Sequence, residues 1–323
     1  MSAGLDERSD VRRSIPALAR EWRWLLPDGH PIRRFCLEPA AGTTPRGSIL
    51  FMPGRADFYE KYLETMVEWS DAGWHVSAAD WRGQGASGRM TADPLVGHIA
   101  DFSIWIADLG ALWRDWVRDA PGPHVLAGHS MGGHLVLRAV AEGAASPDTV
   151  VLSAPMLGFV TAIPQFVQHL YGKIMCSIGD PERRAWKTSE KPGAPTDERM
   201  SLLTHDADRY ADELWWRAQR PELEIGPASW RWVERAAASI EVFRAPGVLE
   251  AVMAPVLLLA AKRDALVSWP AIEAAAERLP RGELVAWGPE ARHELPREAD
   301  PVRGQVMAAI TSFLDRALPA RTA

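Results

Sequence analysis

From Gly47 onward, short apolar runs alternate with segments of helical spacing, and this alternation constrains the fold more than any other feature of the chain. Ser48–Met52 reads as a buried strand, Tyr59–Ala72 as a helix, Trp74–Ala79 as a strand and Ile104–Val117 as a helix. His124–Ala127, His134–Glu142 and Thr149–Ser153 continue as strand, helix and strand. Runs that are apolar at every position suit strands covered on both faces, and strand–helix–strand units place successive strands parallel. The expected class is therefore α/β, with a mostly parallel central sheet flanked by helices. Glu21–Leu37 adds a hairpin turning at Pro27-Asp28-Gly29.

The rhythm stops after Pro155. Residues 156–240 carry helical patches at Ile163–Ile174, Asp206–Gln219 and Ser229–Ala238, with a polar loop at Lys187–Thr196 and no convincing strand. Alternation returns with Val256–Ala261, Pro270–Arg278, Glu283–Trp287 and a last helix over Val302–Leu318. The simplest reading divides the chain into a loosely attached charged lead (1–20), a core (21–155 and 241–323) and an inserted helical cap (156–240).

The bulk numbers exclude several classes. A net charge of -6 leaves no basic footprint for nucleic acid. The longest apolar stretch, Ala251 to Ala261, is interrupted by Pro255 and is far short of the roughly 20 residues that span a bilayer. Charged residues Asp6 to Arg13 stand where a secretory signal needs an apolar run. Two cysteines, Cys36 and Cys176, make no disulfide framework, and no Cys/His spacing suggests zinc. We expect a cytoplasmic protein without metal or cofactor. Fifteen tryptophans leave contact with a membrane surface open.

Gly128-His129-Ser130-Met131-Gly132 fits G-x-S-x-G between an apolar strand and a helical run. A serine there sits on a sharp strand-to-helix turn that only small flanking residues permit, with its hydroxyl at the mouth of the sheet. An ordinary glycine-rich turn would not need the serine at its apex. A serine hydroxyl is a weak nucleophile, so a histidine must take its proton and a carboxylate must orient that histidine. In such sites the acid and then the histidine follow the serine in the chain. Of nine histidines, His293 alone follows the last core strand. Asp264 ends the strand before it. Asp148 lies at the wrong end of its strand, and Glu290 and Glu294 stand too near His293 to fold back. The candidate triad is Ser130, Asp264 and His293.

Charge developing on a substrate carbonyl needs backbone donors. The N–H of Met131 should supply one, and the loop Pro53-Gly54-Arg55 after the first core strand the other, through Arg55 N–H. The Arg55 side chain could equally be a plain salt-bridge partner. Gly83-Gln84-Gly85-Ala86-Ser87-Gly88 spells a dinucleotide-binding pattern, but Asp80-Trp81-Arg82 separates it from the strand and Pro94 follows where a helix should run. We read Asp80, Arg82 and Gly83 as shaping a rigid loop under the site.

Together PGRADFYEKY, DWRGQGASGR, GHSMGG, KRDALVS and ARHEL make the chain, from about Trp22 to Leu314, resemble the monoacylglycerol lipase and lysophospholipase branch of the α/β-hydrolases, a serine aminopeptidase-like group. The resemblance implies the α/β-hydrolase fold with a helical cap, no cofactor or metal, and hydrolysis of single-chain lipid esters through an acyl-enzyme on Ser130. The family's usual His-Gly at the oxyanion loop is Pro53-Gly54 here, so no role for that histidine carries over. A small-ester or peptidase-like hydrolase with the same triad, and a non-catalytic ligand-binding protein, are the rival readings. Phe159, Phe166, Leu170, Tyr171, Met175, Trp215, Trp216, Trp230 and Trp232 could line an acyl tunnel, though a small helical unit also needs most such residues as core. Head group, chain length and oligomeric state are not legible.

Overall fold

The computed structural model describes residues 11–161, 165–186 and 197–318. Eight strands form one sheet: β1 (Arg20–Leu25), β2 (Pro31–Leu37), β3 (Gly47–Met52), β4 (Trp74–Ala79), β5 (His124–His129), β6 (Thr149–Ser153), β7 (Val256–Ala261) and β8 (Gly282–Trp287). Their order across the sheet is β1-β2-β4-β3-β5-β6-β7-β8. β1 and β2 pair antiparallel at one edge, and the six strands from β4 to β8 run parallel. This is the mostly parallel sheet expected from the alternation, in the α/β-hydrolase architecture that the resemblance implies.

The apolar runs are what put helices on both faces. Along β7, Val256, Leu258 and Ala260 enter one core cluster while Leu257, Leu259 and Ala261 enter the other. A strand with no polar face needs cover on each side, and each buried Leu or Val contributes roughly 1.5–3 kcal/mol. One face is covered by α2 (Phe102–Asp119), α3 (Met131–Ala141) and α8 (Trp269–Arg278). On the other lie α1 (Leu63–Asp71) and α9 (Asp300–Ala317). The helix expected over Tyr59–Ala72 is a 3-10 turn at Tyr59–Tyr62 followed by α1.

Between β6 and β7 the described residues hold helices and isolated bridges but no strand: α4 (Gln165–Ser177), α5 (Asp197–Leu203), α6 (Ala207–Gln219) and α7 (Trp230–Val242). Ser229 caps α7 by accepting the Trp232 amide, and Asp206 caps α6 by accepting the Arg209 amide. α7 runs past residue 240, and its Trp232, Ala236 and Ile240 join the core cluster on the α2–α3 side. α5 was not expected, and the loop read at Lys187–Thr196 lies outside the described residues. The lead is not loose where it is described. Arg12 and Arg13 both bind the Asp212 carboxylate on α6, with Nε–Oδ distances of 2.5 and 2.6 Å, and Trp216 Nε1 donates to the Arg12 carbonyl.

Candidate active site

Ser130 stands between β5 and α3 with φ 52° and ψ -118°, a left-handed conformation that costs a non-glycine residue about 1–3 kcal/mol. Crowding around the turn explains its glycines. A Cβ on Gly132 would sit 2.3 Å from the carbonyl oxygens of Met52 and Pro53, and one on Gly128 would sit 2.8 Å from the Gly132 backbone. The Ser130 amide donates to the Ser153 carbonyl at 2.9 Å, which ties the turn to β6. α3 was expected from His134, but it begins at Met131, directly after the serine.

The three candidates meet. His293 Nε2 lies 2.9 Å from Ser130 Oγ, and His293 Nδ1 lies 2.7 Å from Asp264 Oδ2. Asp264 Oδ1 accepts the Leu266 and Val267 amides at 2.7 and 3.1 Å. Burial disfavours the imidazolium, yet the charge of Asp264 and its hydrogen bond outweigh burial and hold His293 above its ordinary pKa. Asp264 is itself raised by burial, but His293 and the two amides bring it below the usual carboxylate value. This arrangement can take a proton from the hydroxyl and stabilise the imidazolium that results.

The rejected acids have other partners. Asp148 Oδ2 accepts the His124 amide, and Glu290 Oε1 accepts the Gly288 amide. Glu294 turns away from His293 toward Lys61 and Arg297. Among the discounted histidines, His134 binds the Met156 carbonyl and Ser239, and His98 binds Ser229. His129 is fully buried 4.8 Å from the His293 ring, and burial and that neighbour push its pKa down to about 3.

Met131 is the first residue of α3, where helix geometry leaves the amide without an intrahelical acceptor. The Pro53-Gly54-Arg55 loop passes alongside, since a Cβ on Gly54 would lie 3.2 Å from Ser130 Cβ. The Arg55 guanidinium donates to the Gly226 carbonyl and lies over Trp186 and Trp232. The Gly-rich decoy supports this loop from behind. Gln84 Oε1 accepts the Ala56 amide, and Trp81 Nε1 donates to the Pro53 carbonyl.

A cavity of about 270 Å³ opens over Ser130 and His293. Met156, Phe159, Trp186, Trp232, Leu266 and Val267 give it an apolar wall. Of the nine residues read as tunnel or core, only Phe159 and Trp232 reach it, while Phe166, Leu170 and Tyr171 are exposed on α4. The polar wall, Asp57, Lys61, Arg199 and Glu294, was missed. Lys61 Nζ contacts Asp57 Oδ1 at 2.9 Å, Glu213 Oε2 at 3.0 Å and Glu294 Oε1 at 2.6 Å. Asp57 and Lys61 share the stretch that carries the resemblance, but nothing in their spacing points to residues 213 and 294.

Among the described residues one group has metal-ligand chemistry: Cys36, Glu38 and His75 at the far end of the sheet from Ser130. Sequence spacing did not show it, because β2 and β4 bring it together. Arg20 lies 3.7 Å from Glu38 and already offsets its charge.

A serine at a strand–helix turn, reached by a histidine and an aspartate from later strand ends, defines the α/β-hydrolase class, and this chain is a carboxylic ester hydrolase of that class. The family model described as serine aminopeptidase, S33, matches residues 43–300, and the chain belongs to that family. It is 30% identical to lysophospholipase L2 of Escherichia coli strain K12 over 287 residues, covering 83% of this chain and 80% of that protein. It is 24% identical to the probable lysophospholipase L2 of Haemophilus influenzae over 286 residues, covering 87% of each. In fold it is similar to a soluble variant of the Saccharomyces cerevisiae monoglyceride lipase, with TM-score 0.72, 18% identity, and 95% of this chain and 98% of that one covered.

Proposed function

We propose that the protein hydrolyses carboxylic esters of single-chain lipids, lysophospholipids or monoacylglycerols, through an acyl-enzyme on Ser130. The observation that carries this reading is the hydrogen-bonded line Ser130–His293–Asp264 at the floor of a cavity with one apolar wall. His293 takes the Ser130 proton as Oγ attacks the ester carbonyl. The amides of Met131 and Arg55 stabilise the oxyanion, and His293 then protonates the departing alcohol. Water, activated by the same imidazole, releases the fatty acid. The apolar wall suits an acyl chain, and the names of the relatives, lysophospholipase L2 above all, support a lipid ester.

In this reading the described residues between 156 and 240 belong to the cap. Phe166, Leu170, Ile174 and Ile178 recur every four residues along α4 and its end, are each 47–67% exposed, and form one apolar face. That face is the one we assign to transient contact with a lipid surface. No helix among the described residues is long and apolar enough to cross a membrane.

The test is hydrolysis of p-nitrophenyl esters of increasing chain length and of a lysophospholipid, by the parent and by Ser130→Ala. Turnover that rises with chain length and is lost in the variant supports the reading. A short-chain optimum with a dead variant replaces it with the small-ester reading, and activity retained by Ser130→Ala refutes the mechanism.

A further inference from the structure

We propose that Lys61 is a positioning residue, holding the oxyanion loop and the histidine loop at a fixed separation and tying the inserted helices to both. The proposal rests on the roles given above to Ser130, His293 and the Arg55 amide.

An ammonium has three hydrogens to donate. The Lys61 ammonium, whose side chain is 2% exposed, donates one hydrogen bond to Glu294 and makes ion pairs with Asp57 and Glu213, three carboxylates from different parts of the chain. Asp57 belongs to the loop after β3, and its other oxygen accepts the Gly54 amide at 3.1 Å and the Tyr62 hydroxyl at 2.7 Å. Asp57 therefore fixes the backbone immediately before Arg55. Glu294 is the neighbour of His293, binds Arg297 through its second oxygen, and anchors its own amide on the Leu203 carbonyl at 2.8 Å. Glu213, on α6, also takes Arg199 at 2.9 Å and Arg217 at 2.7 Å.

A buried ion pair is weak evidence for stability, because an apolar replacement of similar volume is often neutral. What sets this cluster apart is where its carboxylates lead. Two of them run within a few residues to groups beside Ser130, Gly54 in one loop and His293 in another, and the third runs to the inserted helices. One side chain thus sets the distance between the groups that must face the same carbonyl. A misplacement of about 1 Å at such a site can cost on the order of 10²-fold in rate.

The groups facing His293 are Asp264 and Ser130 at its two nitrogens, His129 across the rings, Glu294 on its own loop, and Lys61 from the turn before α1. Glu294 favours the imidazolium and Lys61 opposes it. Without Lys61, Glu294 keeps Arg297 and so keeps its charge.

The experiment compares Lys61→Met and Glu294→Gln with the parent on a soluble p-nitrophenyl ester, recording kcat, KM and the pH dependence of kcat/KM. We expect Lys61→Met to lower kcat on the order of 10²-fold with KM nearly unchanged. The acid limb should move up in Lys61→Met and down in Glu294→Gln, opposite shifts that a merely structural role would not produce. A folded Lys61→Met with parental kcat, or both variants moving the limb the same way, overturns the proposal. If Lys61→Met does not fold, Asp57→Asn cuts only the oxyanion-loop side: loss of kcat supports the proposal and parental kcat overturns it. Ser130→Ala run alongside separates the failures. If it is inactive while the Lys61 and Asp57 variants match the parent, only this inference falls. If it is active, the underlying reading falls too.

Discussion

The carboxylate of Asp264 meets the imidazole of His293 at 2.7 Å through one oxygen, while its other oxygen is held by the amides of Leu266 and Val267. The aspartate is thereby fixed in one rotation, and it fixes the ring so that Nε2 faces Ser130. Asp264→Asn keeps the shape but presents an amide that favours the wrong tautomer. We expect kcat to fall by roughly 10³–10⁴-fold with the fold intact, read by ester turnover alongside circular dichroism.

The same contact sets the pH dependence. His293 must be neutral to act as base, and it is held above the ordinary histidine value of roughly 6.5. Activity should therefore fall as pH drops through a midpoint above that value, and a kcat/KM profile on a soluble ester locates it. For stability the signs differ. The raised histidine contributes below its unfolded pKa and loses that contribution as pH rises through its folded one. The lowered aspartate contributes above its unfolded pKa and loses that contribution as pH falls through its folded one.

Gly132→Ala would place a methyl group 2.3 Å from two backbone carbonyl oxygens, which no side-chain rotation relieves. We expect a loss of at least about 1–3 kcal/mol in urea unfolding, together with loss of turnover, because the carbonyls belong to β3 and the start of the oxyanion loop.

Arg33 on β2 binds Glu60 and Asp80, both buried, at 2.5 and 2.6 Å. Arg33→Met removes the ion-pair partner of Asp80 and leaves Glu60 to Arg220, at 2.9 Å. The expected cost is about 3–5 kcal/mol, measured by denaturant titration. A loss under 1 kcal/mol would show that water or Arg220 replaces the guanidinium.

On α4, Leu170→Asp with Ile174→Asp should lower turnover of a lysophospholipid in vesicles several-fold and leave a soluble ester unaffected. Equal losses on both substrates would remove the lipid surface from the reading of this face.

The alternation of apolar runs was enough to find the six parallel strands, because each run stays short, apolar in the main and set off from the next helix. That holds even where a polar residue interrupts, as at His75 and Ser77 in β4, or where the strand is only partly buried, as in β8. β7 is the clearest, with every position apolar and buried. The candidate triad was legible because Ser130, Asp264 and His293 each follow a strand, in the chain order that goes with a G-x-S-x-G turn. The seven residues of α5, Asp197–Leu203, show too little period to read. The cluster on Lys61 was hidden because its carboxylates lie at 57, 213 and 294, and only folding makes them neighbours. Exposure on α4 was equally unreadable, since an apolar stripe looks the same whether it faces a core or the outside.

The clasp between the N-terminal lead and α6 joins residues 200 positions apart. At roughly 5–20 residues per second, a ribosome needs about 10–40 s to make that intervening chain. Arg12 and Arg13 therefore emerge first and must wait for Asp212, so the clasp can close only once both α6 and most of the sheet exist. The first described segment of the polypeptide is thus fastened only after some 200 further residues exist, while β7, β8, α8 and α9 are still to be made.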